Sequence, residues 1–343
     1  MAGPGGVGKT TIGAALGLRA AQLHDRRVVV VTVDPARRLA EALGVARLTE
    51  EAVLVPVGRG EGRLWALMVD MAKSWDDLVI QHAPDPETAR RLLANGLYRT
   101  LTRRFIQSHD YIALDHLLSL TEGDRYDLVI VDTPPSSHAI DLLDAPGRMI
   151  EFFESRLLRW LTFGAGSSLS TMAAKPFLLL AERLLGSDFL SDIMEFFTLF
   201  AELRPTFVKR AEAVERRLAD DETVYVVVST TDPVAVGGCQ GLIDGLQQRR
   251  RSPELLVVNR LPPTLGLVEG VAGRGHVLRR LIDDEMVALI DDRSLAAAVT
   301  QLADQASQAV LPVVGADCPV LGVPLSTEDL TDLDGLASLL SAG

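Results

Sequence analysis

Two cysteines in 343 residues, Cys239 and Cys318, can form at most one bridge, whereas a secreted scaffold usually carries more. Both are expected to be reduced. Long apolar runs are missing as well: no uncharged stretch is long enough to cross a bilayer. The opening Met1-Ala2-Gly3-Pro4-Gly5 lacks the basic residues and apolar run of a secretory signal. The expected location is cytoplasmic, with membrane association peripheral at most and through a partner. Positive charge is scarce, since 34 Lys and Arg stand against 46 Asp and Glu for a net charge of -12. No sequence-wide field therefore draws phosphate polymers, and nucleic acid is not an expected partner. A composition of 48% hydrophobic and 23% charged residues excludes disordered and collagen-like classes.

What is present is a rhythm of short apolar runs at 28–33, 64–69, 128–131, 224–228 and 255–258. Each is bounded by turn or charged residues and separated from the next by helical patterns, as in buried parallel strands. The expected fold class is α/β, a doubly wound and mostly parallel sheet with helices on both faces. About ninety residues separate the runs at 128–131 and 224–228, too many for one crossover helix. A helical subdomain is expected near 85–120 and 149–220, jointed at Gly164-Ala165-Gly166-Ser167-Ser168. The core then takes about 1–84, 121–148 and 221–343 of a single domain. Nine of the ten Phe fall between Phe152 and Phe207. At helical spacing they read first as core. The adjacent pairs Phe152-Phe153 and Phe196-Phe197, with Phe200, exceed one buried stripe and raise the idea of an apolar groove. Arg249-Arg250-Arg251 reads as cations at a helix C-terminus.

Gly3-Pro4-Gly5-Gly6-Val7-Gly8-Lys9-Thr10 fits G-x-x-x-x-G-K-[ST] at every fixed position and runs into a helical pattern. Its backbone N–H groups, through Gly5, Gly6, Val7 and Gly8, can converge on phosphate oxygens, aided by the helix N-terminus. Lys9 is expected to reach the β- and γ-phosphates, the Thr10 hydroxyl to ligate Mg²⁺, and Thr11 to meet the α-phosphate. A loop of this kind follows a central strand, yet only Met1 and Ala2 precede it. Loss of that strand would leave two ladder edges unpaired, so the true start is expected upstream of Met1.

Asp34 ends the first apolar run and opens Asp34-Pro35-Ala36-Arg37-Arg38-Leu39. A carboxylate there can orient the water that attacks a γ-phosphate, and can equally cap a helix. Asp132 ends another strand and suits Mg²⁺ through water, opposite Thr10. Asn259 ends the run at 255–258, where its amide can pair with a purine edge. Guanine-specific N-K-x-D sites carry an Asp where this chain has Pro262, so ATP is the expected nucleotide, with Mg²⁺.

With the glycine loop, Asp34-Pro35-Ala36, Asp132-Thr133-Pro134-Pro135 and Asn259-Arg260-Leu261-Pro262-Pro263 in this order, the chain resembles the ArsA family of anion-pump ATPases. That family includes the eukaryotic tail-anchored-protein targeting ATPase and sits in the MinD/ParA-like class of dimeric P-loop proteins. The resemblance implies ATP-dependent closing of a dimer, Asp34 as the switch I catalytic carboxylate, and residues 132–138, ending at His138, as switch II. Two departures stand out. The family's signature lysine, which reaches the partner's phosphates, is Pro4 here. The family's metalloid-binding and zinc-binding cysteines have no counterpart, since residues 260–290 contain no Cys. The expected function is a dimeric ATP-hydrolysing switch handling a hydrophobic or membrane-protein client. The alternative is a weakly catalytic regulatory subunit that forms a heterodimer with a lysine-bearing paralogue. A MinD/ParA-like positioning ATPase ranks below both, because the tail Asp329 to Gly343 is acidic and lacks a basic amphipathic membrane helix, and a DNA-binding surface sits awkwardly on a chain of net charge -12.

Overall fold

The computed structural model describes residues 1–33, 38–58, 60–69, 71–104, 109–154, 187–261, 318, 320–325 and 333–339. The chain divides into two compact units. The first takes Met1–Val69, Leu120–Asp141 and Asp221–Gly343, and the second takes Asp70–Ser119 and Leu142–Asp220.

In the first unit the apolar runs become strands β1 (Arg27–Thr32), β3 (Arg63–Met68), β4 (Leu128–Asp132), β5 (Val226–Ser229) and β6 (Leu255–Leu261). Two short strands join them, β2 (Val53–Val55) and β7 (Val320–Pro324). One sheet has the order β2-β3-β1-β4 and the other β5-β6-β7. All pairs are parallel except β2 with β3. The antiparallel β2 makes the sheet mixed, as a short edge strand often does on a parallel sheet. Val28–Val31 are fully buried, which is why β1 reads as a continuous apolar run rather than an alternating one.

Met1 and Ala2 lie between β4 and β5. The Met1 amine donates to Val131 O (2.9 Å) and Thr133 N to Met1 O (3.2 Å), while Ala2 exchanges two 2.8 Å bonds with Val226 and Val228. They form one rung of a parallel ladder between β4 and β5. The loop leaving this rung enters helix α1 (Lys9–His24), whose buried face of Ile12, Ala14, Ala15, Leu18 and Ala21 packs in one core with Val28, Val30, Leu64, Ile130 and, from the short helix α2 (Arg38–Ala42), Leu39 and Ala40. At Gly17 the approach is close: an added Cβ would stand 2.7 Å from Val30 Cγ2, so any larger side chain would push α1 off the sheet. The helix Pro233–Gln248 ends at the arginine run, where Arg249 donates to Gly245 O at 2.7 Å.

The second unit holds α3 (Met71–His82), α4 (Pro86–Ala94), α5 (Gly96–Arg104), most of α6 (His109–Thr121), the later part of α7 (Ser136–Glu154) and all of α8 (Ser187–Ala219). Phe153, Phe196, Phe200 and Phe207 are buried, with Phe153 and Phe196 each stacked on Phe200 at 5.0 and 5.3 Å. These four are core; Phe152 is 39% exposed. The joint at 164–168 lies outside the described residues. No described helix is long and apolar enough to cross a membrane.

A buried charge cluster ties α3, α6 and α8. The Arg210 Nε donates to Asp115 Oδ1 at 2.8 Å and its Nη2 to Ser119 Oγ at 2.9 Å, while His82 Nε2 stands 3.7 Å from Asp115 Oδ2. Burial pushes the Asp115 carboxyl up, but the His82 ring and Arg210 guanidinium beside it reverse this and hold it below the usual carboxylate value. Its stabilising contribution is therefore present above that usual value and is lost as pH falls through the lowered one. Asp115→Asn is expected to destabilise the protein by about 2–4 kcal/mol at neutral pH, because Arg210 keeps its charge without a carboxylate. The loss should shrink toward strong acid. Urea unfolding at pH 7 and pH 3 checks this, and a loss below about 0.5 kcal/mol at pH 7 would assign the cluster no clamping role.

Candidate phosphate-binding site

The loop between Ala2 and α1 bends back through Gly6 (φ 77°) and Gly8 (φ 95°). Gly8 is the residue that precedes α1, and no side chain caps the helix there, so its first N–H groups are left for a ligand. The left-handed backbone favours glycine at this position, and a Cβ would collide with the Asn259 amide. Asn259, buried in the C-terminal half of β6, donates from Nδ2 to Val7 O at 2.8 Å and accepts the Arg260 N–H at 2.9 Å. It thereby ties the glycine loop to β6, with one amide N–H and one oxygen lone pair to spare.

Lys9 is 8% exposed and donates from Nζ to Gly3 O (3.0 Å) and Pro4 O (2.9 Å). The Thr10 hydroxyl donates to Asp132 Oδ2 at 2.6 Å, and the Thr32 hydroxyl reaches the same oxygen at 3.2 Å. Asp132 Oδ1 is buried with no hydrogen-bond partner. Burial raises the Asp132 carboxyl despite the pull of Thr10 and Lys9. A buried carboxylate oxygen without a donor carries a desolvation cost that a cation or an ordered water would offset.

Gly5, Gly6, Gly8, Lys9, Thr10, Thr11 and Asp132 line one cavity of about 390 Å³. Val7 lies beside it, buried in the core. Of the residues read from the sequence, Asp34 lies outside the described residues, as do Pro35, Ala36, Pro262 and the side chain of His138. Arg38, Glu41, Thr133, Pro135 and Arg260 also line the cavity. Sequence reasoning assigned no ligand role to Arg38, Glu41 or Arg260. Thr32 was legible in principle, as the one hydroxyl in β1, directly after four valines. The chemistry is that of a phosphate cradle with a hard-oxygen pair at one side: Thr10 and Asp132 suit Mg²⁺, a cation of oxygen ligands that keeps several waters. Among the described residues no group of three or more His, Cys, Asp or Glu could hold a metal alone.

The model of a family described as anion-transporting ATPase matches residues 1–266. The chain is 28% identical over 149 residues to the ATPase GET3A of Arabidopsis thaliana, covering 43% of this chain and 38% of that protein. It is 29% identical over 266 residues to an uncharacterized Streptomyces coelicolor protein, covering 77% and 62%. With the ATPase GET3 of Malassezia globosa the identity is 27% over 162 residues, covering 47% and 45%. The chain thus spans about two to three fifths of the length of these relatives.

Proposed function

The chain belongs to the anion-transporting ATPase family, and from that premise we propose that it is an ATP-binding and ATP-hydrolysing switch working as a dimer. The observation that carries this reading is the Thr10–Asp132 contact of 2.6 Å beside a carboxylate oxygen with no partner, in a cavity floored by the glycine loop. In this reading the N–H groups of Gly5, Gly6, Val7, Gly8 and Thr11 hold phosphate oxygens. Lys9 shifts its ammonium from the loop carbonyls to the β- and γ-phosphates. Asn259 keeps Val7 in place and offers its spare amide groups to the adenine edge. Thr10 and Asp132, the latter through water, are the residues that would hold Mg²⁺, which supplies neutralising charge at the bridging phosphates when bound. Asp34 orients the attacking water as the bond between the γ-phosphorus and its bridging oxygen breaks.

The second unit is read as the helical subdomain inserted into the core, with α7 running from one to the other between Asp141 and Leu142. A hydrophobic or membrane-protein client is proposed on the family alone. The four buried Phe favour their core role, so a client surface would be formed by other residues.

Pro4 supports a second reading, a weakly catalytic subunit that needs a lysine-bearing paralogue. Proline has no charge and no N–H to offer a partner's phosphates, and a homodimer would then lack the trans cation at both sites. Slow turnover alone and partial recovery in Pro4→Lys, by about tenfold, are expected in steady-state phosphate release. Brisk turnover alone, with no gain from Pro4→Lys, would leave the plain homodimeric ATPase standing.

A further inference from the structure

Strand β6 pairs in register with β7 up to Val258–Gly322, and the next pair is Leu261–Pro324. Two residues of β6, Asn259 and Arg260, thus face one of β7, which is a β-bulge. Arg260 takes up the extra residue with φ 61°, a left-handed conformation that costs a side-chain-bearing residue energy. In an unbroken strand these neighbours would point to opposite faces. Here Asn259 reaches the glycine loop at Val7, and Arg260 lines the same cavity as Gly5, Gly6 and Gly8. Its backbone N–H is fastened to Asn259 Oδ1 at 2.9 Å, while among the described residues its exposed guanidinium has no hydrogen-bond or ion-pair partner.

We infer that Arg260 is the residue that grips the face of the nucleobase, its guanidinium plane stacking on the purine while Asn259 addresses the edge. The inference rests on the ATP-binding reading above and adds a binding residue to it. The phosphate end is already furnished by Lys9 and the loop N–H groups, so a further planar cation on the Asn259 side meets the part of the ligand those groups leave uncovered. A guanidinium suits that part because it is planar, weakly hydrated and stacks on aromatic faces. Face contact does not distinguish adenine from guanine, so Arg260 contributes affinity for purines as a class.

The test is titration of the full chain and of Arg260→Ala and Arg260→Gly with ATP, ADP and inorganic tripolyphosphate. Both variants should lose about five- to tenfold in affinity for ATP and ADP and keep tripolyphosphate affinity within about twofold. Glycine accepts a positive φ without strain, so recovery of ATP affinity in Arg260→Gly alone would trace the effect to the backbone and overturn the inference. Equal losses for ATP and tripolyphosphate would put the guanidinium on phosphate and overturn it too, as would no loss in either variant. A parent chain that binds none of the three ligands would remove the ATP reading itself, a different result from any of these.

Discussion

Lys9→Ala is expected to reduce Mg²⁺-dependent ATP affinity by at least about a hundredfold, to the limit of detection in an ordinary titration. Lys9 is the one charged side chain in the run Gly3 to Thr10. In the structure its ammonium sits on Gly3 O and Pro4 O, almost out of solvent. It is thus desolvated before any phosphate arrives, and a hydrogen bond to a charged group is worth roughly 1.5–3 kcal/mol each. Two such bonds account for the expected loss. A second consequence follows from Asp132, whose carboxyl is raised by burial and pulled back down in part by Lys9. Removing the ammonium lifts that carboxyl further, so the proposed Mg²⁺ seat should weaken as well, and more so as pH falls. Lys9→Met keeps the buried volume and serves as the folding control. Unchanged ATP affinity in isothermal titration of both variants would reject the site.

Asp34→Asn is expected to lower ATP hydrolysis by about a hundredfold or more while ATP binding persists. The substitution keeps the side-chain volume and removes the carboxylate proposed to orient water, so the loss should fall on the chemical step. ATP held without turnover should trap the closed dimer, which size-exclusion chromatography with ATP would register as a larger species. Single-turnover phosphate release equal to that of the parent would reduce Asp34 to a helix cap. The pairing of the two substitutions separates the proposed roles: Lys9→Ala should remove binding and chemistry together, and Asp34→Asn chemistry alone.

Much of the fold was legible because buried parallel strands leave a simple trace. The valine run of β1, buried on both faces, reads as a strand without any alternation. The glycine loop was equally plain, since positive φ at Gly6 and Gly8 and the close approach of Asn259 to Gly8 leave little choice of residue. Other elements left no such trace. β2 is three residues long with Leu54 exposed, too short to show a period. β7 carries Gly322 and Pro324, which lower strand propensity, and its place is earned by pairing with β6. The place of Arg260 was not legible for a physical reason: nothing in an arginine announces a left-handed backbone such as its φ of 61°, and the bulge that puts it there depends on a register between distant strands. The phenylalanine excess pointed toward a groove, and the stacking of Phe153, Phe196, Phe200 and Phe207 resolves those four into core.

The central claim is that the cavity over the glycine loop is an ATP·Mg²⁺ site at which hydrolysis occurs. Phosphate release from ATP by the purified full chain, measured with Mg²⁺ and with excess EDTA beside the Lys9→Ala chain, tests it most directly. The account predicts slow, saturable release that needs Mg²⁺ and is absent in Lys9→Ala. Release that is indifferent to EDTA and to Lys9, or no saturable ATP binding at all, would contradict it.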